Sequence, residues 1–254
     1  MDTLLAMMRG LGPALCLWIF FTFVLAGCVK GLVGLGLPTV AIGLLSLTMP
    51  PAQAASLLLL PSLLTNVLQT RGAALPCLLR RFAVFLLASA VGTLVSGLLL
   101  GPMASAWAGR ALGAVLIAYA VSGALSLRLR ALEREGAVTA ALCGAATGAL
   151  CALSGVFVLP AVPYLQARGL SRDELIQVLG LSFTVSTLAL GAVLWQAGEM
   201  RAGTGYASLA VVLPAWLGMM LGQTLRRHLS AALFKRCFFA GIGALGLGLL
   251  YGGH

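Results

Sequence analysis

Long apolar runs separated by short polar punctuation dominate the chain. Leu11 to Val29, Ala52 to Gln69, Cys77 to Leu100, Ala111 to Leu127, Ala137 to Ser154, Leu175 to Gln196, Tyr206 to Leu225 and Ala231 to Tyr251 are the apolar segments, near the ~20 residues that a membrane-crossing helix needs. Thr39 to Leu47 is a further piece, closed by Pro50-Pro51 and too short to cross about 30 Å of hydrocarbon alone. In the second half a short piece reaches Leu165, followed by the polar turn Arg168 to Glu174. The linker RLRALEREG, Arg128 to Gly136, divides the chain near its midpoint.

Two of the apolar runs are interrupted. In Gly27 to Gly43, GCVKGLVGLGLPTVAIG, the residues Gly27, Gly31, Gly34, Gly36 and Pro38 predict a broken helix. Gly144 to Pro163, GAATGALCALSGVFVLPAVP, is its counterpart, with Gly144, Gly148, Gly155, Pro160 and Pro163. Freed N–H and C=O groups cannot face lipid, so such breaks lie against protein or a polar cavity. Paired interruptions in matching positions of two halves point to a transporter's site. The expected fold is an all-α polytopic membrane protein with one transmembrane domain over 1–254. Repeat 1 spans about 11–127 and repeat 2 about 137–251; each is a re-entrant helical hairpin followed by three transmembrane helices, and the halves are inverted relative to one another.

Charge supports that arrangement. If each interrupted segment returns to its own side, one face collects Arg71, Arg80, Arg81, Arg128, Arg130, Arg134, Arg168, Arg172, Arg226, Arg227, Lys235 and Arg236, leaving Arg9, Arg110 and Arg201 opposite. Treating the interrupted segments as simple crossings splits the basic residues almost evenly, and the positive-inside rule prefers the first. Six spans, two hairpins and both termini outside follow. A composition 61% hydrophobic and 9% charged leaves no room for a soluble domain. The net charge of +10 therefore reads as orientation signal, and no nucleic-acid partner is expected. The first segment reads as retained in the protein, since no small-residue cleavage site follows it.

Catalytic and metal chemistry find little to work with. Cys16, Cys28, Cys77, Cys143, Cys151 and Cys237 stand singly without CxxC spacing, and His228 and His254 lie in a loop and at the C-terminus. The cysteines read as small buried hydrophobes; no metal site, cofactor or catalytic residue is expected. Every acid, Asp2, Glu133, Glu135, Asp173, Glu174 and Glu199, falls in a loop or at a span end, so a buried carboxylate relay or sodium cage is not expected.

Polar residues at depth concentrate after the breaks. Thr65, Asn66 and Gln69 follow the first; Gln177, Ser182, Thr184, Ser186 and Thr187 follow the second. Ser and Thr often bond only to their own helix, but an amide in mid-span calls for a partner or ligand. Lys30, flanked by glycines, either snorkels to the interface or attracts an anion. The short pieces after the breaks, around Pro38-Thr39 and Ser154-Gly155, are expected to present helix N-termini that suit anions. The candidate substrate-binding residues are Lys30, Gly34, Gly36, Pro38, Thr39, Thr65, Asn66, Ser154, Gly155, Ser182, Thr184 and Ser186. In this reading the side chains hydrogen-bond an oxyanion, and Gly34, Gly36, Ser154 and Gly155 bring backbone N–H groups to it.

The glycine pattern Gly27, Gly31, Gly34, Gly36 and the stretch SGVFVLPAVPYLQARGLSRDELIQVLGLSFT, Ser154 to Thr184, resemble the sulfite exporter TauE/SafE family, also called the 4-toluene sulfonate uptake family. The layout is similar over nearly the whole chain. The chain departs from the family in having Gly36-Leu37-Pro38 for its common triple glycine and Gly43 where a proline is often found. The resemblance implies a secondary transporter, exporter or permease, of small sulfur-containing anions such as sulfite or organosulfonates in a bacterial inner membrane. The expected partners are the small anion, the lipid bilayer and, as a homodimer, a second copy of the chain. An anion-selective channel is the alternative from another class.

Overall fold

The computed structural model describes residues 12–101, 107–125, 136–200, 202–226 and 230–251, and those residues form helices and connections without strands. In chain order the helices are α1 (Pro13–Val33), α2 (Leu37–Leu45), α3 (Pro51–Gln69), α4 (Leu75–Leu100), α5 (Ala108–Ala124), α6 (Ala137–Ser154), α7 (Ala161–Gln166), α8 (Arg172–Gln196), α9 (Ala202–Ala210), α10 (Val212–Leu225) and α11 (Ala231–Tyr251). The expected all-helical membrane architecture is the one found. Seven segments are long and apolar enough to cross a bilayer: α1, α3, α4, α6, α8, the joined α9 and α10 from Thr204, and α11 from Leu233; α5 is a shorter apolar helix. Asp2, Arg9, the linker residues Arg128 to Glu135, Arg201, Arg227, His228 and His254 lie outside the described residues.

Gly27 and Gly31 do not break α1, which runs unbroken to Val33. They are contact points instead. A side-chain carbon at Gly27 would lie 2.1 Å from the Ala215 carbonyl oxygen, and one at Gly31 2.2 Å from that of Met219. Gly218 and Gly222 of α10 press back with equal closeness on the carbonyls of Val24 and Cys28. Small residues four apart let two backbones approach where lipid offers no hydrophobic drive to associate them. Gly144 and Gly148 likewise stay inside α6, pressed on the Phe85 and Ser89 carbonyls of α4. The true interruption is shorter: Gly34 (φ +85°) and Gly36 (φ +107°) take the left-handed region, which an L side chain enters only at a cost.

The second interruption also differs from expectation. Ser154 and Gly155 end α6 rather than begin the short piece, because Gly155 (φ +69°) turns left-handed and its N–H bonds back to the Cys151 carbonyl. A non-helical stretch from Val156 to Leu159 follows, and the short helix starts only at Ala161. Polar signals set the next start: Ser171 and Glu174 form a reciprocal capping box at the head of α8.

Two prolines shape the crossings. Pro61 sits inside α3 and cannot donate to the Leu57 carbonyl. Ser208 of α9 supplies the missing donor, its Oγ lying 2.8 Å from that carbonyl while accepting from the Leu60 N–H at 3.2 Å. Pro214 in the first turn of α10 removes a donor to Ala210, where α9 stops.

Helix pairing is reciprocal. α1 packs along α10, and α6 packs along α4. Both pairs run parallel, as successive contacts show: Val24 with Gly218 then Cys28 with Gly222, and Phe85 with Gly144 then Ser89 with Gly148. α3 and α8 cross the centre antiparallel, Ser62 meeting Thr187 while Gln69 meets Gly180. α3 runs with α1 and α8 runs with α4. Arg71, Arg80, Arg81, Arg168, Arg172 and Arg226 consequently gather at one end of the bundle, where Arg81 donates to the Arg168 carbonyl at 3.2 Å.

Candidate functional site

Lys30 lies one turn before the end of α1 and is only 2% exposed. It does not snorkel. Its Nζ donates to Thr65 Oγ1 at 3.0 Å and to Asn66 Oδ1, both on α3. The Thr65 hydroxyl is itself committed, its hydrogen directed to the Pro61 carbonyl at 2.6 Å, with the Ser62 carbonyl at 3.1 Å. The Asn66 Nδ2 donates to Ser62 Oγ at 3.1 Å, and Ser62 meets Thr187 Oγ1 of α8 at 3.3 Å. A continuous polar chain thus joins the first half of the protein to the second. The pairings of Gln69 with Gly180 and Ser62 with Thr187 bring Asn66 level with the middle of α8.

Lys30 has no carboxylate partner among the described residues; Asp173, Glu174 and Glu199 stand at helix ends. Were its Nζ charged, an ammonium held only by neutral oxygens would be a half-built ion pair, since burial of an uncompensated charge is costly. The remaining candidates divide in two. Thr184 bonds to the Gly180 carbonyl of its own helix at 2.7 Å, and Ser154 to the Leu150 carbonyl at 2.6 Å while accepting from the Val156 N–H. Ser186 meets Ser89 of α4 at 3.3 Å. Ser182 and Thr39 are fully buried, and the hydroxyl of each is without a hydrogen-bond partner among the described residues. These two have capacity left for a ligand.

The backbone groups proposed from sequence are partly spent. The N–H of Gly34 returns to the Lys30 carbonyl and that of Gly155 to the Cys151 carbonyl, each at 2.7 Å. Pro38 and Thr39 occupy the first turn of α2, the one short helix whose N-terminus follows directly on a break. Its leading N–H groups are without intrahelical partners by construction. Gly36 packs toward Val29 and Phe238. α7 is a six-residue turn behind the second break.

Sequence reading missed Ser62 and Ser89. Ser62 was detectable as the residue one turn before Asn66, next to a helix-interior proline; Ser89 carried no signal, because its partner is ninety-seven positions away. Cys143 and Cys151 are buried as expected, whereas Cys77 and Cys237 are exposed. No cluster of metal-ligating residues forms among the described residues. A groove of about 520 Å³ between α5 and α11, lined by Val121, Lys235, Arg236 and Phe239, shares no residue with the Lys30 centre.

Apolar helices long enough to cross a bilayer, packed around the buried Lys30 and its polar partners, define an integral membrane protein. The chain belongs to the sulfite exporter TauE/SafE family, whose pattern it matches over residues 19–249. No curated protein and no solved structure matches it.

Proposed function

We propose that the chain is a secondary transporter of a small oxyanion, sulfite or an organosulfonate, and not an enzyme. It works in the cytoplasmic membrane of a bacterium, with the Lys30 ammonium as the anion's counter-charge. The observation that carries this reading is the buried Lys30, with no carboxylate partner among the described residues and held by Thr65 and Asn66 of α3. Thr65 and Asn66 orient the ammonium, and Ser182, Thr39 and the leading N–H groups of α2 have hydrogen-bonding capacity for the oxygens of an anion. Membership of a sulfite exporter family supports the substrate class.

Reciprocal packing supports alternating access. The first helix of each half pairs with the fourth helix of the other, α9 and α10 counted as one, and the helices that correspond between halves run in opposite directions. Inverted halves of this kind can rock about a central site. The basic end of the bundle faces the cytoplasm on the positive-inside rule.

The test is exchange of radiolabelled sulfite in proteoliposomes. Wild type exchanges it, and Lys30→Met and Asn66→Ala lose exchange while remaining monodisperse. Unchanged exchange in both variants overturns the site. Currents far above transporter turnover in bilayer recordings identify a channel instead.

A further inference from the structure

We infer that Lys30 carries a proton together with the anion, so that a monoanion crosses as a neutral pair with one proton. This rests on the anion-transport reading above and adds its coupling ion.

The argument is a count of acceptors. The Thr65 hydroxyl hydrogen is spent on the Pro61 carbonyl, so Thr65 Oγ1 can only accept from Lys30. The Asn66 amide is fixed by its bond to Ser62 Oγ, so Oδ1 can only accept. Nζ therefore meets two acceptors. A neutral amine has two N–H groups and is satisfied; an ammonium has three, and among the described residues no acceptor takes the third. The site without its ligand is built for the amine, and the added proton belongs with an anion oxygen that receives the third N–H.

Nothing titratable compensates from the neighbours. α2, α3 and α10 contain no acid or base, and around Gly27 and Gly31 they present Ala215, Met219 and Gln223. On α1 itself Cys28 is half-buried, its carbonyl against Gly222, and Arg226, past the end of α10, is exposed. In the site open to one face, Lys30 takes a proton from water as the anion enters. After closure and opening to the other face the anion leaves, and the ammonium returns its proton to water. The empty carrier then crosses back uncharged.

The probe is methanesulfonate, an anion at every working pH, so that a proton moving with it is carried by the protein. Proteoliposomes hold a pH dye, and potassium with valinomycin clamps the voltage at zero. Wild type should acidify the lumen by one proton per sulfonate taken up. Lys30→Arg, always protonated, cannot return empty, so its ratio of exchange to net uptake should rise on the order of tenfold. Both assays are repeated with sulfite exchange as reference.

Sulfonate uptake without acidification overturns the coupling and leaves anion transport standing. An unchanged exchange-to-net ratio in Lys30→Arg does the same, and decides the matter if sulfite alone is carried. Should Lys30→Arg fail to fold, the wild-type proton count decides. Absence of both sulfite and sulfonate exchange in wild type overturns the transport reading and the coupling with it.

Discussion

Lys30 on α1 and Asn66 on α3, thirty-six positions apart, meet through Nζ and Oδ1, and the same amide turns its Nδ2 to Ser62. One side chain thereby fixes both where the cation points and how α3 is tied to α8 through Thr187. Changing Asn66 tests the two roles separately. Asn66→Asp places a carboxylate where the anion's charge is needed, so sulfite affinity should fall by about tenfold or more. Its ligand-free stability should stay within about 1 kcal/mol of wild type, because Ser62 can turn to donate. Asn66→Leu keeps the branched shape but removes both the acceptor for Lys30 and the donor to Ser62, and should cost about 1–3 kcal/mol. Thermal unfolding with and without sulfite distinguishes them.

Ser208 is predicted to matter for a reason unrelated to transport. Pro61 leaves the Leu57 carbonyl without its helical donor, and Ser208 Oγ takes that place. Ser208→Ala orphans a carbonyl in an apolar interior, at about 1–3 kcal/mol. Ser208→Ala with Pro61→Ala restores the helical donor and should recover most of the loss. A double-mutant cycle of Tm values reads the coupling; additive losses refute it.

The glycines separate into those that are pressed and those that are open. Gly218→Ala drives a carbon to 2.0 Å from the Val24 carbonyl oxygen and should prevent recovery of folded protein, since backbone cannot yield as a side chain does. Gly241 and Gly248 of α11 have nothing within 4 Å. Alanine at either should be neutral or raise stability by up to about 1 kcal/mol through helix propensity. Size-exclusion profiles and Tm in detergent check both sides.

Spans were legible because a membrane helix writes itself as an apolar run, and α6 and α11 match the expected bounds to the residue. Misreading Gly27 and Gly31 as breakers had a specific cause. Glycine serves both as a turn and as a contact point, and only the partner carbonyls of Ala215 and Met219, far along the chain, tell the two uses apart. Asn66 and Lys30 stood out because a polar side chain in an apolar run needs a reason. Ser62 did not, since a serine can satisfy itself on its own helix.

Lys30 is 2% exposed, and Gln69 and Gln177 are predicted to close the path to it from the basic end. Gln69 Nε2 donates to the Gly34 carbonyl at 2.7 Å, one turn beyond Lys30, and fastens the end of α3 to the first break. The Gln177 amide lies against Gly72, where a side-chain carbon would come within 1.7 Å of it. Neither glutamine's Oε1 has a partner among the described residues, so each amide is held by one bond or contact and can be released at modest cost. Lys30→Cys reports the opening, because an anionic methanethiosulfonate reaches that thiol only through water. In sealed vesicles with the basic end exposed, Lys30→Cys alone should react slowly. Adding Gln69→Ala and Gln177→Ala should speed modification by about tenfold, and sulfite should slow it again by occupying the path. A rate unaffected by the two alanines would place the closure elsewhere along α1 and α3.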